Sequence, residues 1–302
     1  MSVSIRPNNL WRLRTRNLEL GARTLVMGVV NITPDSFSDG GFFLDAEKAV
    51  AHALRLVDEG ADILDLGAES TRPGSHSGGA DAAVGAQEEQ ARLLPVLNGI
   101  LKARPHAVIS ADTYKAATAR AALEAGAEIV NDVSGFTWEP GLAAVCAELG
   151  AGVVLMHTRG RPEEWRTQPQ LEPDALIATV RNGLAASLDA ALSAGIAKDR
   201  IVLDPGYGFG KKLDENYALL SRQSEFLALG RPLLVGLSRK SFLGHTLAEI
   251  YGGTAAPANA RETASVAAMT VAILNGASIV RVHEVKAAVE AARVADAVLR
   301  AG

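Results

Sequence analysis

Cysteine is nearly absent: Cys146 is the only one in 302 residues. An internal disulfide framework is therefore excluded, and a reducing compartment fits. No apolar run reaches the roughly 18 residues that a membrane-spanning helix needs. The basic opening stretch MSVSIRPNNLWRLRTRN has no apolar core of the kind a secretory signal carries. Charge of one sign is also lacking. With 30 Lys and Arg against 34 Asp and Glu, the net charge of −4 gives no bulk argument for nucleic acid, a membrane surface or a polyanion. An anionic ligand must then be held by a local cluster of cations. Internal repeats and Pro/Ser-rich linkers are missing too, so residues 1–302 read as a single domain. The expectation is a cytoplasmic protein with small-molecule partners, no nucleic acid and no membrane.

What is present is alternation. Apolar, β-rich runs recur at 24–31, 61–68, 107–113, 128–135, 152–157, 200–206, 231–238 and 277–285. Helical patterns fall between and after them, near 45–60, 87–104, 115–125, 140–149, 173–194, 214–227, 260–275 and 286–300. In the fifth helix Ile177, Val180, Leu184 and Leu188 form one apolar stripe. Eight strand–helix units match the count of an α/β fold closed as a (β/α)8 TIM barrel, and favour it over a doubly wound sheet. Pro95 inside the second helix predicts a kink. The stretch LWRLRTRNLELG before Thr24 predicts a short N-terminal hairpin that plugs the barrel bottom.

Barrels of this kind place their chemistry at the C-terminal strand ends. Here those ends carry Asn31, the stretch GAESTRPGS, Asp112, Asn131 with Asp132, His157, Asp204, SRKS and RVH. Each has a plainer reading. Asp112 fits a helix cap as well as a site, Asn131 fits a turn residue, and Asp65 reads as a hydrogen-bonded structural carboxylate. His157 reads as a satisfied core histidine. Arg281 and His283 lie two apart on a strand, share one side, and point to the barrel mouth. Coincidental caps at nearly every strand end are much less probable than one composite site. GYGFGKK (206–212) lacks the spacing of a phosphate-cradling P-loop. The histidines do not share metal-ligand spacing with Cys146, which argues against zinc.

The stretches MGVVNITPDSFSDGG, DLGAESTRPGS, SADTYK, VNDVSG, LDPGYGFGK, LVGLSRKSFLG and IVRVHEV, in this order from Met27 onward, resemble the dihydropteroate synthase family. The resemblance implies a pterin-binding barrel that joins 6-hydroxymethyl-7,8-dihydropterin diphosphate to p-aminobenzoate. Pyrophosphate is released, with Mg2+, and the family expectation includes a homodimer and inhibition by sulfonamides. It assigns the pterin to Asp112, Asn131, Met156, Asp204, Phe209, Gly236 and Lys240. The diphosphate falls to Asn31, Arg72, Arg281 and His283, with Asn31 also beside the metal. Pro34, Phe37, Thr71, Arg72, Pro73, Ser238 and Lys240 would form the p-aminobenzoate slot. Asp35, Asp112 and Lys240 would carry catalysis, the two carboxylates by stabilising a cationic pterin methylene as pyrophosphate departs ahead of amine attack. No general base is assigned, because an aromatic amine is already a competent nucleophile. The loop after Asn31 would act as a lid.

One departure stands out: HSGGADAAVGAQEEQ, after Ser75, is longer and richer in glycine than the resemblance leads one to expect. Three rivals remain. They are a catalytically silent pterin-binding paralogue, a methyltetrahydrofolate:corrinoid methyltransferase-type barrel, and a Schiff-base aldolase using Lys240.

Overall fold

The computed structural model describes residues 6–32, 41–69 and 84–301, and for 41–45 the backbone alone. A two-stranded antiparallel hairpin comes first, β1 (Asn9–Arg12) with β2 (Asn17–Leu20). Eight parallel strands follow: β3 (Leu25–Asn31), β4 (Ile63–Gly67), β5 (Ile109–Asp112), β6 (Ile129–Asp132), β7 (Gly152–Met156), β8 (Ile201–Asp204), β9 (Leu233–Val235) and β10 (Ala277–Val282). They pair in chain order, and β10 closes the barrel against β3. The helices are α1 (Gly41–Asp58), α2 (Ala86–Ala103), α3 (Ala116–Glu124), α4 (Gly141–Glu148), α5 (Pro173–Ser193), α6 (Leu213–Ser221), α7 (Ser241–Thr246), α8 (Glu262–Leu274) and α9 (Val285–Ala301).

The expected barrel and hairpin are both found. Differences are local. The pattern over 214–227 divides into α6 and a 3-10 stretch, Gln223–Leu229. The short α7 and two 3-10 turns occupy 241–260, where no helix was expected. α2 continues through Pro95 as one helix.

Strand periodicity explains the packing, because alternate side chains face alternate sides. Val30, Leu64, Leu66, Ile109, Val153, Leu155, Ile201 and Val280 point outward and join the helices in the main core. Met27, Ile63, Ile129, Val154, Val202, Leu234 and Ile279 point inward and fill the lower barrel together with Trp11, Leu13 and Leu20 of the hairpin region. The hairpin is thus the bottom plug. Its seat depends on Gly152: a Cβ there would lie 2.5 Å from Leu13 and 3.3 Å from the Trp11 indole nitrogen. The indole N–H donates to the Arg200 carbonyl at 2.9 Å.

Candidate active site

One rung above that apolar layer the inward positions turn polar. Asp65 follows Ile63, Asn131 follows Ile129, Asp204 follows Val202 and Arg281 follows Ile279, each two residues on along its strand. Strand alternation therefore aims all of them into the mouth. Asp65 is fully buried, and its Oδ2 accepts from Asn131 Nδ2 at 3.0 Å and from Arg281 Nε at 2.6 Å. Arg281 Nη2 donates to Asp112 Oδ2 at 2.6 Å. The carboxylate read as structural is thus a tie between two mouth residues. Burial alone would lower Arg281, but Asp65 and Asp112 outweigh it and hold the guanidinium charge firmly.

Asp112 is no helix cap. α3 starts at Ala116, whose N–H donates instead to Glu139 at 2.7 Å. Burial pushes Asp112 up to about 7, against the pull of Arg281 and with help from Asp65. Asp204, at the end of β8, is buried and accepts the Gly206 N–H at 2.7 Å. Burial lifts it to about 6, opposed by that N–H and by Lys240, Lys211 and Arg281. Gly206 has φ +70, and a Cβ there would meet the His157 carbonyl at 2.0 Å, so only glycine makes this turn.

Lys240, at the head of α7, sits with Nζ 3.9 Å from the Phe209 ring centroid. Its ammonium is pushed down to about 7, chiefly by burial, while Asp204 and Asp112 work against the shift. Phe209 also meets Trp165 edge-on at 5.2 Å. Met156, with Tyr114 and Val133, forms an apolar wall that Phe209 and Trp138 pack against. Gly236 follows β9, and a Cβ there would lie 3.9 Å from Arg281 Cβ. Ser238 Oγ lies 2.9 Å from His283 Nδ1, linking the loops after β9 and β10. Asn31 ends β3, half-buried.

The structure therefore joins Asp112, Asn131, Asp204, Lys240 and Arg281 through hydrogen bonds or facing charges around one mouth. Pro34, Asp35, Phe37, Thr71, Arg72 and Pro73 lie outside the described residues. His157 is a core residue, as expected, but not a satisfied one. Its ring is buried against α5 and Nδ1 has no partner among the described residues. Burial, with Lys211 and Arg159 nearby, holds it well below the usual histidine value, so the ring is neutral. Two contributors escaped the sequence reading: Lys211, set aside with the glycine loop, and the Tyr114–Trp138 edge, whose rings meet at 5.2 Å.

A closed (β/α)8 barrel whose mouth pairs buried carboxylates with a lysine and an arginine, beside an apolar wall, is an enzyme barrel for a flat, polar-edged small molecule. A family model described as pterin binding enzyme matches residues 27–283. The chain belongs to the pterin-binding enzyme family. It is 44% identical over 279 residues to a dihydropteroate synthase of Mycobacterium leprae, covering 92% of this chain and 94% of that protein. The structure of Xanthomonas albilineans dihydropteroate synthase with 4-aminobenzoic acid superposes with TM-score 0.84 at 41% identity, covering 97% of this chain and 98% of that one. The Yersinia pestis dihydropteroate synthase, solved with a sulfonamide drug, gives TM-score 0.85 at 39% identity, covering 97% and 100%.

Proposed function

We infer that this chain is a dihydropteroate synthase. It joins 6-hydroxymethyl-7,8-dihydropterin diphosphate to p-aminobenzoate, giving 7,8-dihydropteroate and pyrophosphate. The observation that carries the reading is the mouth itself, where Asp204, Asn131, Asp112 and Arg281 come from the inward strand ends and Lys240 faces Asp204 and Asp112 from the head of α7.

A pterin presents an amino group and a ring N–H side by side, and a buried carboxylate accepts both. Asp204 takes that role, with its Oδ1 already oriented by the Gly206 N–H. Asn131 and Asp112 meet other ring edges, Lys240 donates to ring acceptors, and Met156 and Phe209 wall the faces, with Gly236, next to Arg281, also assigned to the pterin. Arg281 spends Nε and Nη2 on Asp65 and Asp112, and its Nη1 makes no hydrogen bond to another described residue. That edge, with His283 and Asn31, suits a diphosphate. The methylene C–O bond breaks, pyrophosphate leaves, the amine nitrogen bonds to the methylene carbon, and the amine loses a proton. Asp112 stabilises the positive charge that develops on the pterin. Ser238 and Lys240 flank the amine's approach, to which the sequence adds Pro34, Phe37, Thr71, Arg72 and Pro73, and Asp35 joins Asp112 in stabilising the cation.

The donor set fits magnesium. Asn31 offers one hard oxygen at the mouth, and no described cluster of three or more His, Cys, Asp or Glu would hold an ion alone. Mg2+ commonly takes one or two protein oxygens, waters and substrate phosphates. When bound it would neutralise charge on the departing diphosphate. The reading also carries a homodimer and a cytoplasmic setting. No described helix is long and apolar enough to cross a membrane. Val271 on α8 and Val294 and Val298 on α9 are exposed apolar side chains, and sedimentation of the purified chain tests the homodimer.

The test of function is pyrophosphate release from pterin diphosphate and magnesium, with and without p-aminobenzoate. Amine-dependent release matching dihydropteroate formation is expected. Tight pterin binding without release would establish the silent paralogue instead.

A further inference from the structure

Lys211 lies behind this site, in the turn after β8, and substrate contact gives it no task. It is 7% exposed, and its Nζ donates to the carbonyls of Gly206 at 2.7 Å, His157 at 3.2 Å and Phe209 at 3.3 Å. No carboxylate makes a salt bridge to it among the described residues; the nearby Glu215 pairs with Arg159 at 3.2 Å. A buried ammonium held only by carbonyls needs its charge balanced from further off.

The mouth supplies that balance. Arg281 is already tied to Asp65 and Asp112, so among the cations that face Asp204 it is Lys240 and Lys211 that have no salt bridge to another described carboxylate. Lys211 and Asp204 favour each other's charged form. The Gly206 backbone links the two groups, since its N–H donates to Asp204 while its carbonyl accepts from Lys211.

We propose that Lys211 is a positioning residue for the pterin subsite: its ammonium keeps Asp204 ionised to receive the ring's N–H donors, and it pins the turn that presents Phe209. This rests on reading Asp204 as the pterin acceptor.

Facing Asp204 are Lys240, Lys211 and Arg281, together with the Gly206 N–H, while the neighbouring Tyr207 hydroxyl is held protonated far above its usual range by burial. Facing Lys211 are Asp204 and Glu215, which favour its charge, and Lys240 and Arg159, which oppose it; the His157 ring nearby is neutral. Burial brings Lys211 down to about 7 and Asp204 up to about 6, so both are charged between those values. Without the Lys211 charge, Asp204 keeps its proton to higher pH.

The experiment is calorimetric binding of 6-hydroxymethylpterin from pH 5.5 to 8, comparing the wild type with Lys211→Met, Lys211→Gln and Lys211→Arg. Glutamine keeps two N–H donors for the carbonyls without the charge. If Asp204 moves up by about one pH unit, Met and Gln bind roughly fivefold more weakly at pH 6 and converge with the wild type by pH 8. Arg should follow the wild-type profile. Met and Gln curves with the wild-type midpoint, whether or not affinity falls uniformly, would overturn the proposal. So would failure of both to fold while Arg folds, since the charge would then serve folding. A wild type that binds no pterin at any pH is a different result, and overturns the reading of the site itself.

Discussion

The two ends of the barrel use the same strands, two residues apart, for opposite purposes. On the lower rung, Ile63, Ile129, Val202 and Ile279 pack against Trp11, Leu13 and Leu20, and the charged groups around them are closely partnered. Arg14 donates to the carbonyls of Leu123, Ala127 and Leu149, and Arg6 meets Asp296 at 2.5 Å. One step up, Asp65, Asn131, Asp204 and Arg281 crowd together, and burial displaces Asp112 and Asp204 upward and Lys211 and Lys240 downward. Period-two alternation lets one inward face hold a core and a site in successive layers. The lower layer stabilises. The upper one is tolerated because a ligand with complementary charge and donors completes it.

The sharpest break between the layers is Trp11→Ala. It empties a fully buried indole position and removes the donor to Arg200. A loss of about 3–5 kcal/mol is expected, read from urea unfolding, with the KM for both substrates unchanged in the folded fraction. A matching shift in pterin KM would show that the two ends are not separable.

Asp204→Asn attacks the other layer. The amide offers one acceptor and one donor where the pterin needs two acceptors, so affinity should fall by roughly fiftyfold, about 2.3 kcal/mol. Stability should move the opposite way. Burial raises the folded-state carboxyl from 3.8 to about 6, so the folded form retains its proton to higher pH than the unfolded form. Ionisation therefore lowers stability as pH climbs from about 4 to 6, and the full penalty applies above 6. The variant should match the wild type near pH 4 and exceed it at pH 7, as urea midpoints would show. Equal stability at both values would mean that the site carries no such penalty.

Much of this contrast was legible in the chain. Strand ends bearing Asn31, Asp112, Asn131, Asp204 and Arg281 stand out because apolar runs stop at a polar residue of the right parity. The hairpin plug followed from Trp11 and its alternating neighbours. The region 241–260 was not legible: Gly244, Gly252 and Gly253 interrupt the helical period, so α7 and its 3-10 turns leave no stripe. Lys211 was hidden for another reason. Its partners are backbone carbonyls, which every residue owns and no motif announces. The Asp65 link to both Asn131 and Arg281 needs barrel closure, since Arg281 is 216 residues away.

The smallest expected effect falls on Asp112, which belongs to both descriptions of the mouth. It accepts from Arg281, and it faces the place where positive charge would develop. Burial, chiefly, lifts it to about 7, so near neutral pH it is only about half ionised. Charge stabilisation requires the anion, and turnover in the wild type should therefore rise as pH increases through about 7. Asp112→Asn keeps the shape and a hydrogen-bond acceptor for Arg281 but removes the charge. It should lower kcat about tenfold, near 1.4 kcal/mol, with pterin KM within about threefold. The variant should also lose the acid limb of the kcat profile. If that limb persists unchanged in the asparagine variant, it belongs to another group, and Asp112 acts only by holding Arg281 in place.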